Sequence, residues 1–366
     1  MIASAVSTDS MKQAGFAVAT GLYDVVRHHR SNQRARTTLA SIERERGATD
    51  RRLVAQCDEY AQEVLGSRKY APWLYVYTAV SGGFKEGWIP DNYYGLVVSA
   101  TKSDGAAKIV RLKSFTNRIL DTEALPDVAY TIDGIYYSRD FRPLREDELI
   151  GLLFDGSDRT FFKADDSCQG RSIWILTRED FMRAPRQPPL DAPLPDGVFQ
   201  APIRQHPFFD VLSPNSVATL RVTTVRELDG NISLRAAYLR LGRSADSIVR
   251  SASHVRVALD RETGVFSDIA FLPDWRTTRM HPDTGETFAG RSVPHFDEAI
   301  ALAKSLHASC PHMLCIGWDL CIDDHGQPKL MEWNARHNDI KFSEATTGPC
   351  FRGLGWENLW RRAAAH

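Results

Sequence analysis

Apolar positions along this chain change their period as it proceeds. From about Ser10 to Leu65 they recur at roughly helical spacing, with Phe16, Leu22, Val25 and Val26 before a charged stretch and Leu53, Val54, Tyr60 and Val64 after it. This predicts a mainly helical N-terminal region. Farther on, the pattern is that of strands. Arg159–Ala164 and residues 172–176 read as two strands around a polar loop, 198–203 as another strand, and 219–225 as a strongly β-branched one. Phe296–Ala308 has the spacing of an amphipathic helix. It leads into two apolar runs, 313–322 and 329–334, on either side of a Gly/Pro/Asp break, and these read as a β-hairpin.

The hairpin carries the densest chemistry. With its turn centred between His325 and Gly326, Asp319 lies across from Glu332, and Asn334 shares the Glu332 face because side chains alternate with period two. Like charges directly opposite are destabilising, so the pair makes sense mainly with a cation between them. An all-oxygen set of Asp, Glu and Asn suits a hard ion such as Mg²⁺. A solvated hairpin face with scattered acids is the alternative.

Two other strands carry cations. Arg221 interrupts the β-branched run; such an arginine is either paired with a buried acid or offers its planar fork to a phosphoryl group. Lys163 ends a strand beside the polar loop containing Gly170, where a lysine and loop amides could take phosphates from two sides. The aromatic stretch from Trp73 to Tyr94 reads as core, with the wall of a pocket as the other option. The Pro-rich segment 183–195 reads as a linker between lobes.

Composition narrows the function. A chain of 366 residues predicts two or three structural units. Lys and Arg number 45 against 46 Asp and Glu, so no global field favours nucleic acid or an anionic membrane, and a small-molecule partner is expected. The six cysteines form no Cys-x-x-Cys pair, which argues against a zinc site or a disulfide framework. No run approaches the roughly 20 apolar residues of a membrane span, and the first residues lack a leader pattern, so a cytoplasmic location is expected. The oligomeric state stays open, a homodimer included.

Asp319, the thirteen-residue step to Glu332 and the ending Glu-x-Asn resemble the metal-binding signature of the ATP-grasp superfamily, typified by D-alanine:D-alanine ligase and glutathione synthetase. Gly317-Trp318-Asp319, Gln205-His206-Pro207 and Thr219-Leu220-Arg221 resemble, more closely, the family called sugar-transfer associated ATP-grasp. The resemblance runs over roughly residues 60 to 345. It implies an α+β fold in which two α+β lobes clasp ATP, preceded by the helical region. The divisions are then 1–100, an N-lobe at 101–197 with the phosphate loop, and a C-lobe at 198–366 with the metal hairpin.

ATP and Mg²⁺ are the implied cofactors. Lys113, Lys163 and Gly170 would serve the phosphates, and Gln200, Pro202 and Ile203 the adenine edge. Arg221 and Arg336 would stand beside the transferred phosphoryl group, with Asp319, Glu332 and Asn334 on the metal. The implied activity is that of an ADP-forming ligase joining a carboxylate substrate to an amine or similar nucleophile through an acyl phosphate, in glycan or small-metabolite biosynthesis. A phosphotransferase acting on a sugar or polyol hydroxyl and a non-catalytic nucleotide-binding scaffold are the alternatives. The sequence departs from the family in two places: the loop 165–170 has a single glycine and two acids, and Asp246-Ser247 with Ser251-Ala252-Ser253 stand where an Asp-Asn pair and adjacent glycines are expected.

Overall fold

The computed structural model describes all residues except 1–7, 103–105, 167–172, 184–188 and 364–366; for 8–24, 101–102, 106–108 and 362–363 it describes the backbone alone. The class is α+β, with a helical N-terminal region and two antiparallel sheets. The chain divides into two compact units, one of residues 1–101 with 339–366 and one of residues 102–338.

The first unit is helical, built on α1 (Thr8–Arg46), α2 (Arg51–Glu63) and α3 (Ala71–Ser81). Asp50 caps α2 by accepting the Arg52 N–H at 2.7 Å, one of the donors a helix start leaves without a partner. α3 places Pro72 in its first turn, where no N–H is needed, and stops at Gly82, whose φ of 79° gives the left-handed turn that ends many helices. The aromatic stretch forms the core here: Trp73, Tyr77, Trp88, Tyr93 and Tyr94 are all buried.

The helix Lys341–Thr346 joins this unit through Glu344. Its carboxylate accepts the N–H groups of Ile89 at 3.0 Å and Cys350 at 2.8 Å, and its carbonyl accepts Trp88 Nε1 at 2.8 Å. Complete burial outweighs these bonds and the nearby Lys85, and pushes the carboxyl up to about 7.

The second unit holds both sheets. The first contains β1 (Asp127–Ile132), β2 (Ile135–Ser138), β3 (Pro143–Leu144), β4 (Arg159–Ala164), β5 (Ile173–Thr177) and β6 (Gly197–Gln200), in the order β3-β2-β1-β6-β4-β5. The helix Glu146–Leu153, with three acids in its first turn to complement the helix dipole, packs Leu149 and Leu153 on Ala129, Phe162 and Phe199. β6 is a central strand that pairs with both β1 and β4. Its own ladder therefore uses the backbone groups of Val198 and Phe199, and the chain leaves the ladder only after Gln200.

The second sheet contains β7 (Thr219–Arg226), β8 (Ile232–Leu241), β9 (Val255–Leu259), β10 (Phe266–Phe271), β11 (Thr277–Thr278), β12 (Cys315–Ile322) and β13 (Pro328–Asn334), in the order β11-β10-β9-β8-β7-β12-β13. Alternation sorts its two faces. Leu220, Val222, Leu239, Trp318 and Leu320 pack with Phe296, Ala299, Ala303 and Leu306 of the helix Phe296–Ala308. The opposite face is left for polar side chains.

Candidate active site

Four strands place one row of side chains on that polar face. Tyr238 on β8 stands opposite Arg221 on β7, Arg221 opposite Asp319 on β12, and Asp319 opposite Glu332 on β13. Asn334 pairs with Gly317 in the same way. The facing of Asp319 and Glu332 is the expected one, but it is reached by a different route. Near the turn Ile322 pairs with Pro328 and Leu320 with Leu330, one residue out of the expected register. A β-bulge at Met331 restores it. The extra residue puts Met331 and Glu332 consecutively on the polar side, between the core residues Leu330 and Trp333.

A cleft runs between the two sheets of this unit, open to solvent. Phe161, Ile173, Ile203, Val217 and Met331 give it apolar walls. Lys163, Arg240, Asp319 and Glu332 give it a charged end. Lys163 is held by a bond from its Nζ to the Met331 carbonyl at 3.2 Å, so the bulge also anchors the lysine. Burial lowers the Lys163 ammonium from its ordinary value, while Glu332 and Asp127 work against that shift.

Asp319 is already engaged. Its Oδ1 accepts Arg221 Nε at 2.6 Å, its Oδ2 accepts Arg221 Nη2 at 3.0 Å, and Arg240 Nη2 also bonds to Oδ1. Arg221 spends its remaining prong on the Asn338 carbonyl at 3.1 Å. Burial would raise the Asp319 carboxyl, but the two arginines hold it below the ordinary carboxylate range. Burial opposes the charge on Arg221, whereas Asp319 raises it strongly. The cation that the facing carboxylates require is thus supplied, at Asp319, by guanidinium. A divalent ion fits the oxygens of Glu332 and Asn334 by donor chemistry; at Asp319 it would compete with two arginines.

Residues 194–354, a little under half of the chain, match the profile of the family described as sugar-transfer associated ATP-grasp. That stretch resembles ATP-grasp proteins. The match takes in β6 and the whole second sheet with its bulged hairpin. No curated protein matches the chain.

Solved structures similar to it include the ADP complex of PurK, N5-carboxyaminoimidazole ribonucleotide synthetase, at 12% identity and a TM-score of 0.41, covering 69% of this chain and 51% of that one. Another is the biotin carboxylase domain dimer of Hydrogenobacter thermophilus 2-oxoglutarate carboxylase with MgADP, ADP and bicarbonate, at 14% identity and a TM-score of 0.41, covering 71% and 46%. A third is the D-alanine-D-alanine ligase of Coxiella burnetii, at 12% identity and a TM-score of 0.39, covering 70% and 60%. The chain spans about half the length of the first of these.

Within the second unit the cleft brings together Lys163, Gln200, Ile203, Asp319 and Glu332. Gln200 donates from Nε2 to Asp127 at 2.7 Å, so its side chain is fixed by the protein, and the following Ala201 N–H goes to the Pro126 carbonyl at 2.9 Å. Lys113 reaches the same end of β4, donating to the Ala164 carbonyl at 3.2 Å, while Ser114 N–H bonds to Asp165 at 2.9 Å. Arg221 lies behind Asp319 rather than on the cleft wall, and Pro202 and Asn334 are likewise off that wall. Arg336 is exposed. Gly170 lies outside the described residues. His281 structures its loop, with Nε2 against the Gly242 carbonyl at 3.1 Å and Nδ1 near the N–H groups of Asp283 and Thr284. Among the described residues no helix is long and apolar enough to cross a membrane.

Two site residues were not singled out by sequence reasoning. Asp127 is buried and accepts Gln200 and the Tyr130 hydroxyl, the latter at 3.1 Å; nothing in its sequence surroundings marks it. Arg240 carries the same mark as Arg221, an arginine inside an apolar strand, as Leu239-Arg240-Leu241.

Proposed function

We propose that this protein is an ATP- and Mg²⁺-dependent ligase that joins a carboxylate substrate to an amine or similar nucleophile through an acyl phosphate, with release of ADP. The observation that supports this reading best is the cleft itself: an apolar slot between two sheets that ends in Lys163, Arg240, Asp319 and Glu332. An adenine ring suits the apolar walls beside Gln200 and Ile203, with Pro202 between them in sequence, and the phosphates suit the lysine end, where Lys113 bonds to the carbonyl of Ala164, the residue after Lys163. The oxygens of Glu332 and Asn334, beside Asp319, would hold Mg²⁺, which would supply positive charge to offset that of the phosphates.

This chain's own share is positioning and charge. Lys163, desolvated but fixed on the Met331 carbonyl, meets phosphate as a point charge. Arg221, behind the cleft wall, keeps Asp319 oriented. The N-lobe at 101–197 and C-lobe at 198–366 are the proposed halves of the clasp. Pools of carboxylic acids and amines, tested for coupled ADP formation, check the reading. It expects turnover that needs both classes together. ADP release on a hydroxyl compound alone, or nucleotide binding without turnover under any pool, would replace it.

A further inference from the structure

The charged end of the cleft continues into a cationic patch that nucleotide and metal leave unused. Arg240 on β8 stands directly opposite Arg256 on β9. Alternation puts His254, two residues before Arg256, in line with them on the face that carries Arg221 and Asp319. His254 and Arg256 are buried, and Arg240 is half-buried at the cleft.

Two arginines facing each other across a sheet repel, and the arrangement asks for negative charge nearby. Asp319 serves Arg240 by one bond but gives two to Arg221. Arg256 bonds to the Leu272 carbonyl at 3.0 Å and lies over the Trp275 ring at 4.6 Å. Among the described residues, Arg240 Nε and His254 Nδ1 are buried with no hydrogen-bond partner. A buried guanidinium donor without an acceptor, such as Arg240 Nε, is rare in native proteins and calls for a missing acceptor, and His254 Nδ1 lacks a partner whichever role its tautomer gives it. Burial, reinforced by Arg256, Arg240 and Arg221, keeps His254 neutral, so it can share a proton with a ligand without adding charge. Ser247 and Ser251 line the cleft beside Arg240, two hydroxyls at the mouth of the patch.

Distance separates this patch from the phosphate end. From β13, which carries Glu332, to β9 is four strand spacings, about 19 Å at roughly 4.8 Å each. A phosphoryl group bound at Glu332 and Lys163 is too far away to reach Arg256.

We propose that Arg240, Arg256 and His254 form an oxyanion subsite, opening on the cleft past Ser251, that holds a carboxylate or phosphate ester carried by the acceptor substrate. The word acceptor rests on the ligase reading; the anion binding does not. Inorganic phosphate and, separately, malonate are titrated into the full chain, followed through the His254 imidazole resonances, with and without a saturating non-hydrolysable ATP analogue and Mg²⁺. The subsite predicts anion binding that survives nucleotide saturation with an affinity changed by less than about threefold, as for distant independent sites. Preference between the two probes tells phosphate ester from carboxylate. Arg256→Gln should weaken the bound anion by about tenfold or more, the worth of a lost charged hydrogen bond, and leave the analogue's affinity within about twofold. Loss of anion binding on nucleotide saturation would assign the patch to the nucleotide's own phosphates, and unchanged anion affinity in Arg256→Gln would also overturn the proposal. If that variant does not fold, the competition in the wild-type chain decides alone. Failure of the ATP analogue to bind would remove the ligase reading, while the phosphate titration would still decide the subsite.

Discussion

Asp319 carries two guanidinium groups on one buried carboxylate, and its replacement tests how far the site depends on that arrangement. In Asp319→Asn, Arg221 and Arg240 keep their charges in a buried setting with no anion to answer them. Removing one partner of a buried pair typically destabilises by about 3–5 kcal/mol, and urea unfolding of the variant should show a loss of that order. A loss under about 1 kcal/mol would mean that the arginines find other partners or water. Lys163→Ala should behave differently. The ammonium touches one carbonyl and faces the cleft, so the fold should survive while calorimetry shows weaker ATP binding, by about tenfold for one lost charge-assisted contact. Unchanged affinity would take Lys163 out of the site. The same pairing sets what a change at Glu332 should do. Since Asp319 is neutralised by arginine, little repulsion is left across the hairpin, and Glu332→Gln should change apo stability by no more than about 0.5 kcal/mol while lowering Mg·ATP affinity in the same calorimetric titration.

At the scale of the element, the hairpin depends on one inserted residue. Without Met331, Leu330 would still face Leu320 and Glu332 would still come to stand opposite Asp319, now in regular register. What would vanish is the bulge, with the carbonyl that holds Lys163 and one apolar wall of the cleft. Deletion of Met331 is therefore expected to leave a folded sheet, because Leu330 and Trp333 keep their core places, and to weaken nucleotide binding through a displaced Lys163. Circular dichroism and ATP titration on the same sample check this. A variant that fails to fold would show instead that the bulge is needed to close the sheet.

At the scale of the whole molecule, the two units should answer pH in opposite ways. In the first unit Glu344 has its carboxyl raised to about 7, above the roughly 4.3 of an unfolded glutamate. Its contribution is complete below the unfolded value and is lost as pH rises through 7, by at most about 4 kcal/mol. In the second unit Asp319 is held below the ordinary range, so its contribution is present above about pH 4 and is lost as pH falls toward the folded value. Hydrogen exchange, corrected for intrinsic rate, should show peptides around Ile89 and Glu344 more protected at pH 6 than at pH 8, and Glu344→Gln should remove that difference. Equal protection at both values would mean that Glu344 stays ionised beside Lys85. A saturating Mg·ATP analogue should protect peptides of β4, β7, β12 and β13, with about 2.7 kcal/mol gained at a hundredfold excess over Kd.

Local pattern alone determined a good deal of this protein. Period-two alternation across the hairpin put Asp319 and Glu332 opposite each other, with Asn334 on the Glu332 face, before any fold was known. Helical spacing found the N-terminal helices and Phe296–Ala308. These features depend on neighbours a few residues apart, which sequence displays directly. The partners of those residues depend on which strands become adjacent, and only the tertiary structure decided that. β8 brought Arg240 to Asp319 and β9 brought Arg256 to Arg240, so guanidinium took the place expected for a cation between carboxylates. β6 became a central strand because β1 and β4, distant in sequence, close on both its edges. The bulge at Met331 is likewise a tertiary result: turn geometry set one register, packing of Leu330 and Trp333 on the core set another, and a single extra residue reconciles them.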